Sequence, residues 1–509
     1  MKSRFLSAML FLSVGCFAQN DQDALRYSQT GVGGNTRFVT MGGAFGALGA
    51  NVSCLSYNPA GIALYRKGEL NFSPGIRFNS VGSTYNGTSQ SSFKPALILN
   101  GFGLVAAWKS ERNQDDRHAL GVSLNQMQNF NSNLSVQGRA NGKSIMQDIL
   151  NDAGNSNANS LGYFSSLAYK TYLMDYDSTA GKYYGFIDPS KNMLQSKSVV
   201  TTGKMNELAI GYGYSFADKL YVGASVGVPV ISYNYTGSYT ESDDKDSLRI
   251  YRDGNNNLQS TYSYPVIAYY ADQSQTTLLG GFKSMNYLEK YKTSGSGYNL
   301  KLGAIYRLND YLRVGLNYQT PTILNLTDTY TYSMTTTFDS GTSVTEGYPD
   351  GGGIYRYKII TPQRYGASLG FIYKKYFSVG IDYEGVNYGQ AFISSNTSDD
   401  FSGVNRTISS KYTRTSNLRA GIEINTSPVT IRLGYAAYGS PFGQAISGQF
   451  VRTSYSAGVG FRNNNWAFDF GFVKQLYSED YYMYNPKYVD KSILSISNTN
   501  LVASVGLKF

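Results

Sequence analysis

Five basic residues, Lys301, Arg313, Arg419, Arg432 and Lys508, stand on the polar faces of segments whose apolar residues alternate. A cation in such a position either meets an anionic group or pairs with acids on faces of the same kind, here Asp382, Glu384, Glu423 and Asp469. A second group is the run Gln126, Met127, Gln128, Asn129, Phe130 and Asn131. Before it, Leu120, Val122 and Leu124 keep a period of two; after it the apolar series slips to Met127, Phe130 and Leu134. The slip predicts a bulge, which re-aims side chains and interrupts pairing, and the amides suit a wet interior. A third is Tyr57-Asn58-Pro59-Ala60-Gly61. Pro59 fixes its own φ and biases Asn58 away from helix, while the Asn58 side chain can bond nearby backbone, so a rigid turn is expected. Catalytic chemistry has little to draw on. The one histidine, His118, opens a predicted strand with no serine-elbow context. The stretch Asp253-Gly254-Asn255-Asn256-Asn257-Leu258 has Leu258 where a calcium loop needs Gly, and Tyr264 where it needs Glu. No phosphate loop, zinc spacing or nucleic-acid patch is visible, so no enzyme activity, cofactor, metal or nucleic-acid partner is expected.

The elements that must carry these residues are strands. The chain of 509 residues holds 46 Tyr, 26 Phe and 55 Gly against 12 Pro, a profile of strands and turns. Residues 1–18 read as a secretory signal: Lys2 and Arg4, the apolar run from Phe5 to Val14, then Cys16-Phe17-Ala18 as a cleavage site. Its removal leaves Cys54 as the sole cysteine, so the fold cannot depend on an internal disulfide. No later segment has the ~18 consecutive apolar residues of a transmembrane helix. Mean hydropathy is -0.30, which suits either a soluble β-protein or a membrane barrel.

Alternation alone cannot separate those two. Leu501, Ala503, Val505, Leu507 and Phe509 share a face, as do Trp466, Phe468, Phe470 and Phe472, and in both architectures one face of each strand is apolar. The connections discriminate. Short turns at 217–219, 308–310, 374–376, 425–428 and 463–465 alternate with long polar segments around 138–202, 241–295, 336–356, 394–414 and 479–492. That is the pattern of an outer-membrane barrel. The expected fold is all-β, a transmembrane antiparallel β-barrel of about 14 strands. The strands fall near 68–85, 95–109, 118–136, 203–216, 220–240, 296–307, 311–335, 357–373, 377–393, 415–424, 429–438, 451–462, 466–478 and 493–509. Helical spacing of Ile145, Ile149 and Ala153, then Leu161, Phe164, Ala168 and Tyr172, predicts one or two short helices in the first long loop.

The segment 19–67 contains Gly42, Gly43, Ala44, Gly46, Ala47, Gly49 and Ala50, small surfaces fit for close packing inside a lumen. With Asn58-Pro59-Ala60-Gly61, it resembles the N-terminal hatch of the FadL/TodX family of outer-membrane transporters of long-chain fatty acids and other hydrophobic compounds. Residues 312–321, ending in Thr320-Pro321, and the blocks 418–423 and 431–435 resemble that family in order, and the final strand ending on Phe509 resembles the assembly signal of bacterial outer-membrane barrels. The resemblance implies a hatch over 19–67, a barrel over 68–509, and passive uptake of a fatty-acid-like ligand. It further implies release through a lateral opening beside a kinked third strand at Gln126 to Asn131. A ligand carboxylate would then look for partners among Lys301, Arg313, Arg419 and Arg432. The expected setting is a monomer in the bacterial outer membrane, among lipid and lipopolysaccharide, with both termini periplasmic and Phe509 offered to the barrel assembly machinery. A structural or adhesive barrel and a general diffusion porin are the alternatives.

Overall fold

A computed structural model describes residues 21–509 other than 112, 114, 249, 253, 256–257, 261–279, 396, 398, 444–450 and 464. The signal expected over 1–18 and much of the calcium-like stretch, with Asp253, Asn256, Asn257 and Tyr264, lie outside the described residues. Fourteen strands close into one antiparallel wall. They are β1 Glu69–Tyr85, β2 Thr88–Lys109, β3 in two pieces Arg117–Asn129 and Ser132–Arg139, β4 Leu194–Phe216, β5 Leu220–Ser242 and β6 Phe282–Arg307. Then follow β7 (Leu312–Gln319, Ile323–Phe338), β8 (Ser343–Ile360, Arg364–Tyr373), β9 (Phe377–Asn387, Phe392–Ser394) and β10 Arg414–Asn425. The last four are β11 Val429–Tyr438, β12 Arg452–Arg462, β13 Trp466–Tyr481 and β14 Ser492–Lys508. Each strand pairs with its sequence neighbours, and β14 returns to β1 from Glu69↔Lys508 to Thr84↔Ile493. Pairing of β1 with β14 leaves the sheet no terminal edge strand.

Side-chain sidedness follows the period-two reading. Along β5 the outward positions are Leu220, Val222, Ala224, Val226, Val228 and Val230, and along β6 Tyr298, Leu300, Leu302, Ala304 and Tyr306, with no charge among them. A lysine or arginine in such a band costs about 2–4 kcal/mol at its middle. Trp108, Phe216, Tyr311, Tyr373 and Trp466 are exposed where the strands reach the short turns, the aromatic girdle of a membrane barrel. Among the described residues no helix is long and apolar enough to cross a membrane.

The connections depart from strict alternation. Residues 86–94, expected as a connection, belong to a hairpin whose turn is Asn86 (φ 44°) and Gly87 (φ 82°), the positive-φ pair that a two-residue hairpin requires. A second tight turn lies at 339–342. The loops expected at 138–202 and 241–295 shrink to 140–193 and 243–281, because β4, β5 and β6 run on beyond the apolar band. β6 has 26 residues where about 9–11 cross a bilayer. In that extension both faces carry polar residues and tyrosines, so the hydropathic alternation fades while the ladder continues. The predicted helices are present: α3 Ile145–Ala153, with a Ser144/Gln147 capping box, and α4 Tyr163–Lys170. Ile145, Ile149, Leu167 and Ala168 pack with Tyr85, Tyr239, Met285 and Met334 of the wall, so the insertion caps the loop end of the lumen. A further helix, α5 Ser402–Lys411, follows β9.

The lumen is filled from the N-terminal side by α1 Asp21–Ser28, α2 Thr36–Thr40 and two 3-10 turns, Val52–Ser56 and Pro59–Leu64. Three asparagines start three of these elements. Asn35, Asn51 and Asn58 accept from the backbone N–H of Phe38 (3.0 Å), Ser53 (3.0 Å) and Ala60 (3.2 Å).

Candidate functional site

The hatch motif sits at the base of the lumen, fully enclosed. Asn58, 1% exposed, donates from Nδ2 to the Gly46 carbonyl at 2.6 Å, and the Gly46 N–H donates to the Asp382 carboxylate at 2.9 Å. One side chain therefore ties the 3-10 turn to the glycine-rich stretch, and that stretch to β9. The wall makes room by omitting side chains. A Cβ on Gly223, Gly303, Gly315, Gly380, Gly421 or Gly434 would stand 1.9–2.5 Å from hatch atoms, the closest being Gly303 against Asn58 Oδ1. These glycines are in register across the strands, Gly223 beside Gly303, and Gly380 beside Gly421 beside Gly434. The small residues of the hatch were legible from sequence; the matching glycines of the wall were not singled out.

The third strand breaks where its alternation slips. Its ladder to β4 shifts register between Gln126 and Gln128, and the two halves of β3 are separated by Phe130 and Asn131. The β2–β3 ladder ends at Gly101↔Asn125. Beyond that point the second half of β3 pairs with β4, and β2 pairs with β1. Ser132 Oγ donates to Asn79 Oδ1 (2.8 Å), and Ser83 Oγ donates to the Ser135 carbonyl (2.6 Å). Asn79 and Ser83 face the lumen, so this half-strand has folded inward. The line between β2 and β3 is bridged here by side chains: Lys94 Nζ reaches the Thr201 carbonyl of β4 (2.9 Å), and Asn133 the Phe93 carbonyl (3.3 Å). Leu97 stands 86% exposed at this seam.

Hatch and break touch each other. Gly31 N–H donates to the Met127 carbonyl at 2.7 Å, and a Cβ on Gly33 would come within 1.8 Å of the Gln126 carbonyl oxygen. Tyr57, adjacent to the Asn-Pro pair, donates to the Gly31 and Gly33 carbonyls (3.1 and 3.2 Å), and its ring leans on Phe38. Gln126, Met127 and Phe130 are buried, whereas Gln128, Asn129 and Asn131 are half-buried.

Three of the four cations expected to meet a ligand carboxylate are held by carboxylates of the wall, and Arg313 bonds the hatch backbone. Lys301 bonds Glu207 at 2.7 Å, Arg419 bonds Glu384 at 2.9 Å, and Arg432 joins Glu423 (2.7 Å) to Asp469 (2.6 Å). Arg313 donates to the Leu48 carbonyl of the hatch at 3.1 Å. The reason is cross-strand proximity: a polar face of one strand lies beside the polar face of the next, and a desolvated cation takes the neighbouring carboxylate. Glu423 also receives Arg37 of α2 in a bidentate pair (2.7 and 2.8 Å), so this network clamps the hatch to β10.

Two other cations lack such a partner. Arg77 of β1 and Arg452 of β12 line a small cavity of about 70 Å³ together with Gln126, Gln128, Asn129 and the hatch residue Gly31. The Nε atoms of both are buried without a hydrogen-bond partner, and among the described residues neither forms an ion pair. Arg452 lies 4.3 Å over the Tyr438 ring and donates to the Thr30 carbonyl at 3.3 Å. Both arginines escaped the sequence reading because β1 carries proline, glycine and serine among its apolar residues, and β12 alternates weakly. His118 is on the outer surface near the turns, stacked on Trp108 and sharing a 2.6 Å hydrogen bond with Tyr212 Oη. Among the described residues no cluster of metal-ligating side chains occurs.

The closed fourteen-strand antiparallel barrel is the fold of FadL- and TodX-type structures. The crystal structure of a Pseudomonas aeruginosa FadL homologue superposes with a TM-score of 0.53 at 13% identity, over 95% of this chain and 100% of that one. Two structures of the Pseudomonas putida toluene transporter TodX give TM-scores of 0.50 and 0.51 at 13% identity, over 94% of this chain and 99% of theirs. No protein-family model matches the sequence, and no curated protein matches it.

Proposed function

We propose that this chain is a bacterial outer-membrane channel for passive uptake of hydrophobic small molecules, long-chain fatty acids among them, with release sideways between β2 and β3. The observation that carries the reading is the inward fold of the second half of β3, which leaves the wall without a backbone ladder beyond Gly101↔Asn125, directly beside the hatch. Similar folds include one described as a toluene transporter, which supports hydrophobic cargo. A chain in transit gains about 0.8 kcal/mol per buried CH₂, so modest apolar contact suffices to draw it inward. If the ligand carries a carboxylate, Arg77 and Arg452 are its partners in this reading, in place of Lys301, Arg313, Arg419 and Arg432. The short turns and both ends of the chain then face the periplasm, lipid and lipopolysaccharide surround the apolar band, and the strand ending at Phe509 engages the assembly machinery of a monomeric barrel.

The test removes Met127, the extra residue at the register shift between Gln126 and Gln128. Deleting it gives both halves of β3 one register and returns the side chains of the second half to the faces of the first. It should let β3 run straight along β2 and abolish uptake of a labelled fatty acid or toluene while the barrel still shows heat-modifiable migration. Undiminished uptake by such a barrel would refute lateral release. Large, steady single-channel conductance of the unaltered protein would instead favour a diffusion porin.

A further inference from the structure

At the end of the lumen opposite the helical cap, a cavity of about 410 Å³ lies between the hatch and the turn ends of β1, β12, β13 and β14. Its charges do not balance. Arg37, which lines it, is matched by Glu423, and Asp469 by Arg432. Arg66 on the rim reaches Asp218 at 3.3 Å. That leaves Lys67, Arg462 and Lys508 facing one further carboxylate, Glu69, which bonds the Tyr65 hydroxyl at 3.4 Å. Among the described residues none of these three cations forms an ion pair, and Arg462 Nε is buried without a hydrogen-bond partner. Lys67 is exposed at the rim, whereas Arg462 and Lys508 are half-buried; partly desolvated cations without a counter-charge are costly, so this pair fits an anion that enters from the turn end.

We propose that this cavity is a second binding site, separate from the lateral route, for a small organic anion: a carboxylate or phosphate monoester on a compact apolar body. Size argues against a bare inorganic ion. The volume is within the ~300–1,000 Å³ of small-molecule sites and far above the ~30 Å³ share of one water. Leu64, Tyr65 and Ala467 supply apolar lining beside the cations. An anionic head takes the Arg462 Nε–H and the Lys508 ammonium, and the body lies against Leu64 and Tyr65.

The experiment measures binding of benzoate and phenyl phosphate to the full barrel in neutral detergent, with benzamide as the uncharged counterpart. The anions should bind at least tenfold tighter than benzamide. In an Arg77→Gln/Arg452→Gln background, in which the lumen cavity no longer offers cations to a carboxylate, the preference should persist, and adding Arg462→Gln/Lys508→Gln should erase it. Equal binding of benzoate and benzamide overturns the proposal, as does an unaffected preference in the Arg462/Lys508 variant. Inorganic phosphate binding as tightly as phenyl phosphate overturns the organic part. Should the combined variant fail the heat-modifiability check, Lys508→Gln in the same background carries the test, because the Lys508 ammonium makes no ion pair among the described residues. Hydrophobe uptake by Arg462→Gln/Lys508→Gln is expected to be normal, so this site and the transport reading stand or fall separately.

Discussion

The tie between Asn58 and Gly303 makes a quantitative prediction. Asn58→Ala removes the bonds to the Gly46 carbonyl and the Ala60 N–H in a fully buried position. Each orphaned backbone group costs about 1–3 kcal/mol, so the hatch should lose about 2–6 kcal/mol of its hold. Gly303→Ala attacks the same contact from the wall, since its Cβ would stand 1.9 Å from Asn58 Oδ1, an overpacking of about 1–3 kcal/mol. Were the two independent, the double variant would lose about 3–9 kcal/mol. Asn58→Ala, however, removes the atom that Gly303→Ala collides with. The double variant should therefore lose little more than Asn58→Ala alone, a coupling of about 1–3 kcal/mol. Cys54, 1% exposed within the hatch and the sole cysteine after residue 18, reports the opening through its rate of maleimide labelling. At tenfold per ~1.4 kcal/mol, Asn58→Ala should accelerate labelling about 30- to 20,000-fold, with the barrel still heat-modifiable. Additive effects of the two substitutions, or unchanged labelling, would refute the claim that this contact seats the hatch.

Glu423→Gln leaves Arg37 and Arg432 without their shared carboxylate; breaking such a buried network costs about 3–5 kcal/mol, and the loss should appear as faster Cys54 labelling more than as barrel unfolding. In the cap, burial is the main reason that the Asp148 carboxyl of α3 is raised above its ordinary value, with the Asn485 hydrogen bond opposing and Asp152 adding. A raised carboxyl favours the folded state in its protonated form. Docking of α3 should thus be firmest below about pH 4 and weaken as pH rises through the folded value. Amide exchange of α3, corrected for intrinsic rates, should follow that trend in the native protein and be flat in Asp148→Asn.

Strand period was the most legible layer of the sequence. β5, β6, β13 and β14 set uncharged apolar residues on one face, and lipid demands the same sidedness over the whole band. The slip after Leu124 marked the broken strand, and the Asn58-Pro59 turn marked the hatch, because each depends on local backbone rules. What failed to show depends on partners far apart in the chain. Lys301 meets Glu207, and Arg37 meets Glu423, through the register of strands that one sequence does not reveal. Wall glycines such as Gly303 have a purpose only once the hatch lies against them. The hairpin at Asn86-Gly87 carried a readable turn signal, and the polar residues beyond it obscured the strand that follows.

The seam between β1 and β14 bears on the order of assembly. The chain leaves the hatch at Gly68, whose carbonyl accepts from the Phe509 N–H at 3.1 Å, so β14 seals the wall where the plug departs from it. A barrel already sealed would have to thread residues 21–67 of folded plug into a lumen lined to fit it. Enclosure during closure avoids that barrier: the hatch settles on the glycine patches of a still-open sheet, and β14 then locks it in. The plug in this view acts as a template around which the sheet curls, and a defect in it should slow sealing before it alters the finished channel.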